Sequence, residues 1–299
     1  MVKKIIVIVG PTASGKSDLA VAIAKKFNGE IISADSRQVY KGLDIGTGKI
    51  TKREMKSVPH HLLDVASPKR RFTAYDFVQH ANGALTMIYQ SDKIPIITGG
   101  TGFYIDALVG NIAIPQLPPN EPLRERLEGK KASELFEMLK SKDPKRARTI
   151  EKSNKRRLIR ALEITKELGS VPPFQGYPLD KKYDVLWIGI EMEKDMLRKK
   201  IHTRLLERLK KGMVAEAKKL HEKGLSYKRM EELGLEYKYL ALFLKSKITK
   251  EEMIEQLSAK IWQYARRQMT YWRRNKDIRW VLKSEKQKIE MFISDFLKI

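Results

Sequence analysis

The sequence predicts an α/β fold, a parallel sheet core flanked by helices with an inserted helical subdomain. Three observations carry this. Short apolar, β-branched runs alternate with helical stretches, the pattern of a parallel sheet covered on both faces. The first run passes directly into Gly10-Pro11-Thr12-Ala13-Ser14-Gly15-Lys16-Ser17, a full match to G-x-x-x-x-G-K-[ST] between a strand and a helix, which makes the core P-loop NTPase-like. Residues 114–122 then hold four prolines in nine positions ahead of a long helical stretch, the mark of a linker.

The elements follow in order. Residues 4–9 form the first strand and residues 16–26 a helix. Residues 30–33 form a second strand, residues 93–98 a third ending in Gly99-Gly100, and residues 184–191 a fourth. Helical segments run from 123 to 168, where Gly169 is a stop. Val171-Pro172-Pro173-Phe174-Gln175-Gly176 reads as a second break. The predicted units are therefore a core of 1–115 with 181–299 and a helical insertion of 116–180. Long helical patterns cover 196–223 and 250–276. No internal repeat or low-complexity tail is visible.

Bulk properties narrow the function. The 299 residues include no cysteine, which excludes disulfides and cysteine-based zinc sites and fits a reducing, cytoplasmic setting. No apolar run approaches the ~20 residues of a membrane span. The apolar stretch Ile5 to Val9 is too short for a signal peptide and reads as a strand. Lys and Arg number 60 against 36 Asp and Glu, a formal charge of +24. A solvated ion-pair surface would be nearly balanced in sign, so this excess points to a polyanionic partner such as nucleic acid.

The glycine loop supplies the first chemistry. Gly10 and Gly15 let the chain turn so that the backbone N–H groups of Thr12, Ala13, Ser14 and their neighbours, in the loop that Pro11 opens, face phosphate, helped by the helix N-terminus behind them. Lys16 adds a point charge and Ser17 a hydroxyl for Mg²⁺. The loop alone does not choose between a nucleoside triphosphate and a diphosphate ester. Asp35 stands just past the second strand, on the ligand-binding edge of such a sheet. It can act as a base opposite the phosphates or simply cap the next helix. Ser36 lies beside it, and Arg37 and Gln38 can read base edges or bind phosphate. The Gly99-Gly100-Thr101-Gly102-Phe103-Tyr104 turn brings the Thr101 hydroxyl to the same edge, or serves only as a packing turn. Adjacent His60 and His61 read as structural or pocket-lining.

These motifs, in this order, resemble the tRNA dimethylallyltransferases. GPTASGKS, the DSRQVY turn and the GGTGFY turn occur together in that family. Val58-Pro59-His60-His61-Leu62-Leu63-Asp64 resembles its PHH segment, and Arg156-Arg157-Leu158-Ile159-Arg160-Ala161-Leu162-Glu163 its insertion-domain RALE segment. Arg204, Gly212 and Glu216 resemble its R–G–E region, and Ala265 to Arg273 its RRQ-T-W segment. The resemblance covers nearly the whole chain and is to the bacterial type, since zinc-finger forms need cysteine. Leu233 to Lys238 departs from the pattern, with Glu236 standing before the tyrosine.

The resemblance implies transfer of dimethylallyl from its diphosphate to the exocyclic amine of the tRNA adenosine just 3′ of the anticodon. It assigns Asp35 as the base, Arg204 and Lys16 to the leaving diphosphate with Mg²⁺ near Ser17, and Thr101 to the reacting region. For tRNA it implies Asp35, Ser36, Arg37, Gln38, Thr101, Arg124 and the Arg156, Arg157, Leu158, Ile159, Arg160 run. Residues 140–160 carry ten basic residues against Asp143 and Glu151, a suitable clamp or otherwise a solvated face. Tyr271 and Trp272 read as core before base-stacking. The expected partners are tRNA and dimethylallyl diphosphate, with no membrane, and the expected state is a monomer. Three other functions stay open: a small-molecule kinase using ATP, an enzyme that prenylates free adenine nucleotides, and an RNA-binding nucleotide switch.

Overall fold

The structure is a computed structural model and describes residues 2–112, 114–115, 117–172 and 182–298. The core elements in order are β1 Lys3–Val9, α1 Lys16–Lys26, β2 Gly29–Ser33, α2 Lys52–Met55, β3 His60–His61, α3 Ala74–Gln90, β4 Ile94–Thr98 and α4 Gly102–Val109. Four helices follow: α5 Glu121–Glu128, α6 Ala132–Lys142, α7 Pro144–Thr149 and α8 Lys155–Leu168. The chain returns with β5 Tyr183–Glu191, α9 Lys194–Lys210, α10 Met213–Glu222, α11 Tyr227–Leu233, α12 Leu235–Leu244 and α13 Lys250–Trp272. It ends with β6 Arg279–Leu282 and α14 Lys286–Leu297.

All six strands pair in parallel, in the order β3-β2-β4-β1-β5-β6. Ile5 to Val9 are fully buried because helices cover both faces, which is why β1 reads as an unbroken apolar run and not an alternating one. One face packs Ile5, Val7 and Val9 against α3 and α4. The other packs Ile6 and Ile8 against α1 and α14. From β1 the chain moves to β2 on one side, while from β4 it crosses β1 to reach β5 on the other. Connections therefore reverse at β1, and the crevice above its carboxyl end is where such sheets bind ligands.

A third apolar cluster joins α9 to α13 with Val39, Tyr40 and Leu43 beyond the carboxyl edge of the sheet. A fourth belongs to α5 to α8 alone, with Leu123, Leu127, Leu135, Leu139, Leu158 and Leu162. The inserted stretch thus has its own core. Asn120, Asp143 and Asn154 cap α5, α7 and α8 by accepting backbone N–H groups, each cap contributing about 1 kcal/mol.

Several expectations change. The helix expected over 196–223 is two helices, broken where Gly212 takes φ +98° between α9 and α10. The pattern over 250–276 stops at Trp272. The two-residue β3, β6, α3 and α14 are not among the elements expected from the sequence, although α3 carries helical apolar spacing and a Thr73–Asp76 capping box. The linker's last residues already belong to α5, where Pro122 is tolerated in the first turn. Of the second break, Pro173 to Gly176 lie outside the described residues, as does the 180/181 boundary. No described helix is long and apolar enough to cross a membrane.

Candidate active site

One cleft at the carboxyl edge gathers Thr12, Ala13, Lys16 and Ser17 from the glycine loop, with Asp35 and Gln38 after β2. Thr98 and Gly99 come from the end of β4, and Arg204 and Arg208 from α9. The glycine loop is held open by left-handed backbone: Ala13 has φ +65° and Gly15, the N-cap of α1, φ +86°. No side chain caps α1, so its first N–H groups remain available to an anion. Lys16 Nζ donates to the Pro11 carbonyl at 3.3 Å. Desolvation lowers its pKa to about 8; Asp35 opposes that fall and Arg204 adds to it.

Asp35 caps no helix, since the chain after β2 runs on as a turn, and it faces the cleft. Its Oδ1 accepts the N–H groups of Arg37 at 2.8 Å and Gln38 at 3.2 Å, so it holds the turn after β2. Its Oδ2 points to Gly100, 3.6 Å from where a β-carbon there would sit, and the carboxylate lines the cleft. Thr101 Oγ1 accepts the Ser36 N–H at 3.0 Å and its own N–H donates to Ala34 O at 3.1 Å. The two turns are thereby locked side by side. Gly99 is required for this approach, since a β-carbon would lie 2.1 Å from the Ala34 carbonyl oxygen. His60 lines the same cleft and donates from Nδ1 to Val58 O at 2.8 Å, while burial lowers its pKa. His61 instead bonds Glu30 at 2.6 Å within a Glu30–Lys93 pair. Among the described residues no group of three or more His, Cys, Asp or Glu is placed to hold a metal.

Four sets of contacts are not given by the motifs in which their residues fall. The strap at 44–50 lends Thr47, Gly48 and Ile50 to the cleft wall. Glu216 anchors it by accepting three consecutive N–H groups, from Asp44, Ile45 and Gly46, as well as the Tyr237 hydroxyl. Arg208 donates to Gly46 O and to Glu236, both at 2.8 Å, which gives the divergent Glu236 a partner in the cleft. The buried Gln268 on α13 joins Thr12 to Gly100.

The predicted RNA residues divide. A second cleft, between the core and α5–α8, is lined by Arg37, Arg71, Arg124, Arg156 and Arg229, with Glu128 and Glu232 opposing them. Arg156 and Arg157 are exposed on α8. Leu158 and Ile159 pack into the core of the helical unit, and Ile159 also borders the second cleft. Arg124 makes a bidentate pair with the buried Glu163 at 2.7 and 2.8 Å. Arg160 joins the same carboxylate and donates to Leu117 O at 2.8 Å. Both therefore build the unit's structure.

The fold and cleft define a class of protein: an α/β enzyme whose glycine loop faces a carboxylate across one crevice, beside a basic helical insertion. The model of the IPP transferase family matches residues 38–275. tRNA dimethylallyltransferase 2 of Treponema denticola is 42% identical over 285 residues, covering 93% of this chain and 95% of its own length. A tRNA dimethylallyltransferase of Halalkalibacterium halodurans is 38% identical, covering 94% of this chain and 91% of its own length. The crystal structure of a full-length tRNA isopentenylpyrophosphate transferase from Bacillus halodurans covers 99% of this chain and 97% of that chain. It superimposes with a TM-score of 0.74 at 36% identity. A eukaryotic dimethylallyltransferase captured acting on tRNA gives 0.86 at 26% identity, covering 99% of this chain and 80% of that one. The chain belongs to the IPP transferase family.

Proposed function

We propose that this chain transfers a dimethylallyl group from dimethylallyl diphosphate to the exocyclic N6 amine of the tRNA adenosine adjacent to the anticodon on its 3′ side. The observation that carries this is the single cleft in which the uncapped loop with Lys16 faces Asp35, with Arg204 on the wall. The diphosphate lies in the loop. Lys16, Arg204 and the loop N–H groups take up negative charge as the allylic C–O bond breaks. The adenine amine is a weak nucleophile because its lone pair is delocalised, so it needs to lose a proton as the N–C bond forms. Asp35 Oδ2 accepts that proton. Thr101 steadies the acceptor turn, and Ser36, Arg37 and Gln38 meet the RNA beside it. Unpaired bases are the ordinary targets of specific RNA recognition, and the reacting base leaves the stack to enter the cleft.

Ser17 lines the cleft at the first turn of α1. A Mg²⁺ ion would be held by its hydroxyl and by the substrate's own diphosphate, which suits a cation that keeps few protein ligands. Bound there, it would supply further charge neutralisation to the leaving group. The cleft lined by Arg37, Arg71, Arg156 and Arg229 gives the RNA backbone a path between the core and the helical unit. The protein works as a monomer in the cytoplasm, a setting its cysteine-free sequence suits.

The test uses purified protein, Mg²⁺ and labelled dimethylallyl diphosphate, with tRNA or free AMP as acceptor and no nucleotide cofactor. Label should pass to tRNA with one diphosphate released per transfer, and a chelator should stop it. Label on AMP but not tRNA would select the free-nucleotide reading. A strict need for ATP with phosphate on the acceptor would select a kinase.

A further inference from the structure

Two of the turns that frame the cleft are joined by one side chain that the proposed transfer chemistry does not use. Gln268 is 4% exposed and lies on α13, which crosses the carboxyl edge of the sheet. Its Oε1 accepts the Thr12 N–H at 2.8 Å, and its Nε2 donates to Gly100 O at 2.9 Å. This orientation is dictated from both sides, because a backbone N–H can only donate and a carbonyl can only accept. The Tyr264 hydroxyl donates to the same Gly100 carbonyl at 3.1 Å. α13 comes this close only because residue 100 is glycine: a β-carbon would stand 2.6 Å from Gln268 Nε2 and 3.0 Å from Tyr264 Oη. The next residue, Thr101, holds the Ser36 N–H and so fixes the turn that carries Asp35. Hydrogen bonds therefore run from the phosphate loop through Gln268 to the turn beside the base.

We propose that Gln268 is a positioning residue: it ties the donor loop to the acceptor turn and sets the distance over which the allyl group passes. The inference rests on the assignment of the glycine loop to the diphosphate and of Asp35 to the acceptor. Reacting atoms must approach to within roughly 3–3.5 Å, and a misplacement of about 1 Å costs on the order of 10²-fold in rate. A tie between the two turns acts on that approach and not on the contacts each substrate makes separately. Its loss therefore falls on the chemical step and leaves both binding constants near their original values.

The experiment compares Gln268→Leu, which removes both bonds, with the isosteric Gln268→Glu. The latter keeps an acceptor for Thr12 but sets an oxygen against the Gly100 carbonyl. Single-turnover transfer at saturating dimethylallyl diphosphate should fall about 10²-fold in both. The Kd for Mg²⁺–pyrophosphate and the Kd for tRNA should each stay within about threefold of the original. Tyr264→Phe should cost less than about tenfold, because Gln268 still satisfies the carbonyl. Melting temperatures identify folded variants, and the isosteric glutamate variant decides if the leucine variant does not fold. A transfer rate within about threefold of the original in a folded Gln268 variant overturns the proposal. So does a loss confined to pyrophosphate affinity with the saturated rate unchanged. Failure of the unaltered protein to transfer label to tRNA would instead reject the proposed function.

Discussion

Lys16 brings a cost to the fold that its work requires. Desolvation holds its pKa near 8, well below its ordinary value of 10.5. Below about pH 8 the charge is carried in the cleft against that penalty. Between about 8 and 10.5 the unfolded chain binds the extra proton, so stability rises with pH across that window. Lys16→Met should therefore melt higher than the original protein at pH 7 while losing transfer activity, a stability–activity trade that calorimetry and a turnover assay check together. For the original protein, kcat/KM for the allylic diphosphate should fall as pH passes about 8 and the free lysine neutralises. Diphosphate binding at pH 9 should take up a proton, because the anion raises the lysine pKa. Asp35→Asn keeps an oxygen for the Arg37 and Gln38 N–H groups, so the turn survives. Turnover should drop by roughly 10²-fold or more with tRNA affinity little changed, and near-normal turnover would remove Asp35 as the base. The placement of Lys16, Asp35 and Thr101 at the carboxyl edge of the sheet is legible in the sequence because each sits in a contiguous motif. Gln268 is not, because its partners lie 256 and 168 positions away. The 265–273 segment draws attention for its arginines and aromatics, while its amide acts only once α13 lies across the sheet edge.

Among elements, the break between α9 and α10 matters most. The apolar spacing of 196–223 continues through it, so periodicity alone joins the two helices. Only the left-handed Gly212 and the turn it permits show that α10 starts afresh. That restart aims Glu216 at the strap, where one carboxylate accepts N–H groups from Asp44, Ile45 and Gly46. Glu216→Gln replaces one acceptor oxygen by an NH₂ group, which leaves at least one backbone donor facing another donor. Stability should fall by about 1–3 kcal/mol. The loosened strap, which carries Thr47 and Gly48 of the cleft wall, should raise KM for dimethylallyl diphosphate more than it lowers kcat. Denaturant melts and steady-state kinetics measure the two effects, and an unchanged KM would detach the strap from the donor site. The central strands are plain in the sequence because burial on both faces makes them continuous apolar runs. β3 has only two residues, and β6 places just Val281 in the core, too little for a pattern to register.

Across the whole molecule, the charge of +24 predicts a polyanionic partner without saying where it lies. Within the helical unit the structure separates Arg124 and Arg160, paired with the buried Glu163, from the exposed Arg156 and Arg157. Arg124 faces Glu163, whose side chain is 1% exposed, so removing it leaves a buried carboxylate with fewer partners. Arg124→Ala should lower stability by about 3 kcal/mol. An unchanged melt with weakened tRNA binding would return Arg124 to the RNA surface. Arg156 and Arg157 are exposed on α8, and the Arg157–Glu151 pair at 3.3 Å is a surface pair, worth at most about 1 kcal/mol. Replacing both by Ala should therefore leave the melt unchanged. Each phosphate contact contributes roughly 0.7–0.9 to the slope of log affinity against log salt. The double variant should thus bind tRNA more weakly and flatten that slope by up to about 1.8, with the affinity for dimethylallyl diphosphate unaltered. The measurement is a titration of tRNA binding at several salt concentrations. A slope equal to that of the original protein would make the α8 face a solvated surface. The steering charge would then be sought next at Arg37, Arg71 and Arg229 in the cleft between the core and the helical unit.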